Sequence, residues 1–164
     1  MVAENDEINI YLVRHGEAGK SWDEDPDPGL SNEGEKQSIK LVSKLSDDFK
    51  KLNFKAISSP LLRAQETAIP LKEEFGFDIK IDRNFAEIPS PGIELYQRSA
   101  WLKEIFKVSI AELEQPQQEW RNTIIQSIQN IQEDTIIFSH FMVINCVVGW
   151  LSNFDKLVGF YPDN

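Results

Sequence analysis

Apolar side chains recur along this chain in two rhythms, and the rhythms alternate. Short unbroken apolar runs, rich in β-branched and aromatic residues, predict buried strands at residues 8–13, 54–58, 77–81 and 135–139. Between them apolar residues return every three or four positions, the spacing of one helix face. Ile39, Val42, Leu45 and Phe49 mark such a face for a helix running from an N-cap at Ser31 to about Phe49. Leu61, Ala64, Ala68 and Leu71 mark another over 61–75, with Pro60 in its first turn, a kink or break at Pro70 and a stop at Gly76. A looser helical pattern covers 94–108. Trp120, Ile124, Ile128 and Ile131 give a firmer one over 117–132, and a nearly all-apolar helix follows the last strand to about Leu151. Loops are expected at 16–29 and 87–92, where glycines, prolines and acids gather.

Strands alternating with helices predict an α/β fold, a mostly parallel central sheet between helical layers. No repeat, low-complexity tract or linker interrupts the pattern, so residues 1–164 read as a single domain. A chain of that length buries roughly 70% of its unfolded surface.

Charge narrows the function. The net charge of −10 excludes a general nucleic-acid binder, which would carry a basic face. It also repels anions at long range, so a phosphate site would have to rely on local arginines. No apolar stretch approaches the ~20 residues of a bilayer span, and the acidic start at 1–7 lacks the features of a signal peptide. A cytoplasmic location is expected. The single cysteine, Cys146, excludes an internal disulfide and lies in an apolar run, 142–148, that suits core packing.

The chemistry concentrates at the ends of the predicted strands, where open parallel sheets place their reactive groups. The chain has two histidines, and each follows a strand: His15 within Arg14-His15-Gly16-Glu17, and His140 after Ser139. A third strand leads into Ser58-Ser59-Pro60-Leu61-Leu62-Arg63-Ala64-Gln65-Glu66-Thr67, placing Arg63 in the first turns of a helix. An anion at this edge would meet two guanidiniums that can fork onto phosphate oxygens, together with helix N–H groups. A histidine there can attack phosphorus and carry the group as phosphohistidine. Glu66 is placed to pair with Arg63 along the helix. The acidic stretch 23–27 lacks the ordered spacing of a calcium loop and reads as solvated.

Taken together, these three motifs resemble the histidine phosphatase superfamily, also called phosphoglycerate-mutase-like, over about residues 8–151. The resemblance implies the phosphoglycerate-mutase-like three-layer α/β/α sandwich. It makes His15 the nucleophile, and Arg14, Arg63 and His140 the partners of the phosphate, with His140 a charged or donor ligand. Neither metal nor organic cofactor is implied. The expected partner is a small phosphorylated metabolite or a phosphoprotein, without nucleic acid or membrane. The proton donor to the leaving group would come from Phe85-Ala86-Glu87-Ile88-Pro89, making Glu87 the first choice, with Glu94 the alternative.

Three departures from the family qualify the reading. Ser21-Trp22-Asp23 stands where many relatives carry a Trp-Asn pair on phosphate, and an aspartate would repel that ligand. The long insertions of the mutase branch are missing, which favours hydrolysis over phosphoglycerate mutase chemistry. The sequence also ends about where relatives begin one more strand, so either the sheet is shorter or the sequence is a piece. A non-catalytic protein that binds phosphorylated ligands is the remaining alternative.

Overall fold

The computed structural model describes residues 7–50 and 53–162; residues 1–6 of the acidic start and the last two residues lie outside it. Four strands, β1 (Ile10–Arg14), β2 (Lys55–Ser58), β3 (Ile79–Ile81) and β4 (Thr135–Ser139), form one sheet in the order β1-β4-β2-β3. Every pairing is parallel. All five residues of the central strand β4 are buried, which explains its apolar Ile136-Ile137-Phe138 centre. Its alternate side chains feed two cores. Ile136 and Phe138 pack with Phe49, Phe54, Ala68 and Leu71 under α1 (Asn32–Phe49) and α2 (Leu62–Phe75). Ile137 packs on the other face with Ile124, Ile128, Val143 and Val147 of α4 (Gln115–Gln129) and α5 (Phe141–Leu151). The fold is the expected three-layer α/β/α arrangement.

Local chemistry sets most boundaries. Ser31 caps α1, its hydroxyl accepting from the Gly34 N–H at 3.0 Å. Gly76 ends α2 in the left-handed region, φ 71°, where a Cβ would be strained. Cys146 is core, and burial pushes its thiol up to about 12.

Four local expectations are corrected. Ile39 is 61% exposed; the buried stripe of α1 passes instead through Gly34, Ser38 and Phe49, with Val42 and Leu45 half-buried. Small residues take the packed positions because another segment lies against that face. Pro70 neither ends nor breaks α2, which runs through it; the proline removes a single N–H while Ala68 and Leu71 stay fully buried beside it. Leu61 is the N-cap, so Pro60 precedes the helix. Residues 94–108 hold a 3-10 turn at Leu95–Gln97 and a short α3 (Arg98–Ile105).

Among the described residues no helix is long and apolar enough to cross a membrane.

Candidate active site

Strand register builds the site. Arg14 sits opposite Ser139 in the β1–β4 pair, so the next residues, His15 and His140, leave the sheet side by side. The His15 N–H donates to the Ser139 carbonyl at 3.0 Å, and the two rings meet edge to face with centroids 5.2 Å apart. On the other side of β4, Ser58 sits opposite Phe138, and the Ser59 N–H donates to the Phe138 carbonyl at 2.9 Å. Helix α2 starts three residues later and carries Arg63 inward, 1% exposed.

His15 is held at both ring nitrogens. Nδ1 lies 2.6 Å from its neighbour's carbonyl, Gly16 O, and Arg63 Nε donates to Nε2 at 3.1 Å. The ring therefore carries its proton on Nδ1 and a lone pair on Nε2. Burial, then the Arg63 guanidinium, and more weakly Arg14 push its pKa down to about 4, against the Gly16 carbonyl, which raises it. At neutral pH His15 is an uncharged base with Nε2 aimed at Arg63. The turn that carries it has no room to spare: a Cβ on Gly16 would stand 2.6 Å from the Gly34 carbonyl oxygen of α1. The Gly16 N–H donates to Thr67 Oγ1 at 3.0 Å, and Thr67 itself donates to the Arg63 carbonyl at 2.7 Å.

Glu87 reaches the same place on a loop secured at three carbonyls. Ser139 Oγ donates to Phe85 O at 2.7 Å, Trp120 Nε1 to Ala86 O at 2.9 Å and Gln117 Nε2 to Pro89 O at 2.8 Å. The Glu87 side chain is 8% exposed, and its Oε2 lies 3.9 Å from His140 Nδ1. Desolvation raises its pKa to about 7, against the Ile88 N–H, the Arg63 and Arg14 charges and the Met142 N–H, which all favour the carboxylate. A carboxyl poised near neutrality can give or take a proton. The alternative, Glu94, is exposed at the start of the Leu95–Gln97 turn.

His140 is fully buried, and its pKa is pushed well below the usual value by burial, then by Arg63 and His15. Of the two expected roles, charged or donor ligand, complete burial beside the Arg63 guanidinium disfavours imidazolium and favours the neutral donor. Its Nε2 contacts Ser59 Oγ at 2.7 Å. Two buried polar atoms here, Arg63 Nη1 and His140 Nδ1, have no hydrogen-bond partner among the described residues.

Arg14 joins from the β1 end: Nη1 donates to Pro162 O at 2.9 Å, the guanidinium lies 5.3 Å over the Phe141 ring, and its charge acts on both His15 and Glu87. Other expectations resolve differently. The α2 N-terminus is already used, Leu61 N–H donating to Ser59 Oγ at 3.2 Å and Leu62 N–H to Asp27 Oδ1 at 2.8 Å. Glu66 does not pair with Arg63; it accepts from the Leu30 N–H at 2.6 Å and fastens the preceding loop. Trp22 packs over Arg63, 5.8 Å from its guanidinium carbon. Asp23 turns away to accept from the Ser99 N–H at 2.9 Å. Among the described residues no group of three or more His, Cys, Asp or Glu is arranged to hold a metal ion.

Three structural partners were not singled out from the sequence. Gly34, inside a helical stretch where glycine costs about 1 kcal/mol, signals a close backbone approach. Ser59 and Thr67 lie within the Ser58–Thr67 motif, but only the folded geometry shows that their hydroxyls face inward.

Comparison with known proteins gives the family and the fold. A family model described as histidine phosphatase superfamily (branch 1) matches residues 10–157. No curated protein matches the sequence. Among solved structures, a mycobacterial glucosyl-3-phosphoglycerate phosphatase in complex with VO3 is similar at 17% identity and TM-score 0.64, over 89% of this chain and 82% of that one. A phosphoglycerate mutase from Thermus thermophilus is similar at 22% identity and TM-score 0.57, over 90% of this chain and 86% of that one. At such identities the likeness concerns the fold.

Proposed function

This chain belongs to branch 1 of the histidine phosphatase superfamily, and from that premise we propose that it hydrolyses a phosphomonoester, or a phosphohistidine, through a covalent phosphohistidine on His15. The observation that carries the reading is the pair of buried donor-capable atoms, Arg63 Nη1 and His140 Nδ1, without a hydrogen-bond partner among the described residues and next to a neutral His15. Leaving such groups unsatisfied costs about 1–3 kcal/mol each. An anion with tetrahedral oxygens would satisfy both.

In this mechanism the phosphoryl group sits among Arg14, Arg63 and His140. The Nε2 lone pair of His15 attacks phosphorus as the ester P–O bond breaks, and Arg63 shifts its donors to the phosphoryl oxygens. Glu87 supplies the proton the leaving alkoxide needs. Water then attacks the P–N bond, losing its proton to the Glu87 carboxylate, and inorganic phosphate leaves with His15 and Glu87 restored. The raised pKa of Glu87 supports both halves of that cycle, since a carboxyl near 7 is neither a wasteful acid nor a weak base at neutral pH. The substrate on this reading is a small phosphorylated metabolite or phosphoprotein in the cytoplasm.

Rapid quench with a labelled alkyl phosphoester tests it. Acid-labile, base-stable label is expected on the wild-type protein and not on His15→Ala. Absence of label and of phosphate release across a panel of phosphoesters would sink the proposal, and isomerised phosphoglycerate in place of free phosphate would move it to mutase chemistry.

A further inference from the structure

We propose that Ser59 is a positioning residue that fixes His140 as a neutral donor, with its proton on Nδ1 facing the pocket. Ser59 and His140 are both 0% exposed, and Ser59 Oγ lies 2.7 Å from His140 Nε2. The hydrogen bonds that meet at that hydroxyl can be accounted for. The oxygen already accepts from the Leu61 N–H at 3.2 Å. Its own proton has one acceptor within reach among the hydrogen bonds of the described residues, the Nε2 of His140. If Nε2 carried the imidazole proton instead, the serine O–H would be buried without an acceptor, at a cost that buried hydroxyls rarely bear.

The imidazole proton therefore sits on Nδ1. That atom is buried, has no hydrogen-bond partner among the described residues, and lies 3.9 Å from Glu87 Oε2. The distance is too long for a hydrogen bond and leaves the N–H available to an incoming oxygen. A neutral donor suits this pocket. It offers a hydrogen bond to a phosphoryl oxygen without placing a third positive charge beside Arg63 and Arg14.

Serine, histidine and glutamate here follow the order of a nucleophilic triad, with the same proton polarity. Their burial assigns a different task. With no exposed surface, Ser59 orients the ring and does not attack. His15 shows the same solution by other means: Gly16 O takes its Nδ1 proton and Arg63 Nε points to its Nε2. Both histidines of the chain are thus held in one tautomer, one by a backbone carbonyl and one by a hydroxyl.

The kinetic consequence rests on the phosphatase reading, whereas the tautomer does not, so two measurements separate them. Histidine-selective 15N labelling gives ring signals from His15 and His140 alone, because the chain has no other histidine. His15→Gln assigns them. Long-range proton–nitrogen correlation at neutral pH should show both wild-type rings neutral and protonated on Nδ1. In Ser59→Ala the His140 proton should move wholly or partly to Nε2 while His15 stays unchanged. Turnover of an alkyl phosphate should fall about 10²-fold in kcat, the scale expected for a misplaced group in the pocket, with KM little altered. Ser59→Cys, a weaker donor of similar shape, should give an intermediate tautomer mixture and serves as the readout if the alanine variant does not fold. A wild-type His140 that is charged or protonated on Nε2 would overturn the proposal. So would Ser59→Ala retaining the Nδ1 proton, even if its activity were lost, since that outcome marks a purely structural role. If no phosphoester is turned over, the phosphatase reading fails and the spectra still decide Ser59.

Discussion

Replacing Glu87 with glutamine should remove part of the pH dependence of stability, by an amount that follows from the site. Burial lifts the Glu87 carboxyl from 4.5 to about 7 in the folded protein. At ~1.36 kcal/mol per tenfold change in proton affinity, that shift is worth about 3 kcal/mol. The folded state holds the proton more tightly than the unfolded one. The advantage is therefore fully present below about pH 4.5, declines as the unfolded carboxyl ionises, and is gone once the pH has passed through about 7. Glutamine keeps an oxygen for the Ile88 N–H, which now donates to Glu87 Oε1 at 2.9 Å, and cannot ionise. Urea unfolding of both proteins between about pH 4.5 and 8.5 isolates the effect, because every other titrating group is shared. The variant should gain on the wild type by about 3 kcal/mol across that range, most of it before about pH 7. A difference that stays constant with pH, or that shifts toward the wild type on raising it, would refute the buried, proton-holding carboxyl on which the proposed acid role depends.

Three further outcomes follow from the same geometry. Glu87→Gln should lower kcat/KM, which reports transfer to His15, by about 10²–10⁴-fold for an alkyl phosphate while barely affecting that of an aryl phosphate whose leaving group needs no proton, and should slow phosphate release from His15 for both; the wild-type kcat/KM for the alkyl ester should fall below about pH 4, where His15 protonates, and above about 7, where Glu87 ionises, and equal losses of kcat/KM for the two esters would contradict the assignment. Gly34→Ala would drive a Cβ into the Glu17 carbonyl oxygen and should lower stability by about 1–3 kcal/mol or more, read as a reduced urea midpoint, with activity falling as the Arg14-His15-Gly16 turn is displaced; an unchanged midpoint would show that α1 can retreat freely.

Sequence periodicity was a good guide wherever one rule acted alone. β4 and its following helix lie where the apolar run predicted, because a strand buried on both faces and an all-apolar helix leave no choice of face. Ser31 and Gly76 were legible because capping is decided within a few residues. Ile39 misled, since α1 sets Gly34 against the Gly16-Glu17 backbone and Phe49 into the core, which leaves Ile39 on the outer face. The order of strands is absent from any local pattern. At the site, residue types were legible and their pairings were not. Arg63 and Glu66 are three apart on one helix, which suggested a pair, yet each is claimed by a group distant in sequence, His15 Nε2 and Leu30 N–H. The same holds for Ser59, whose partner lies 81 positions away.

The alignment of His15 with His140 depends on the β1–β4 pairing, and that pairing joins segments far apart along the chain: Asn9 N–H donates to Asp134 Oδ1, 125 positions on, at 2.7 Å. Closing so large a loop is entropically costly, and non-local pairings of this kind slow folding. Partly folded forms in which α1, β2 and α2 have already assembled would contain Arg63 but neither histidine in place. The site thus reports on completion of the fold. A bound oxyanion such as vanadate would stabilise only molecules in which these distant segments have met, so its protection should appear in the last step of refolding and in none before it.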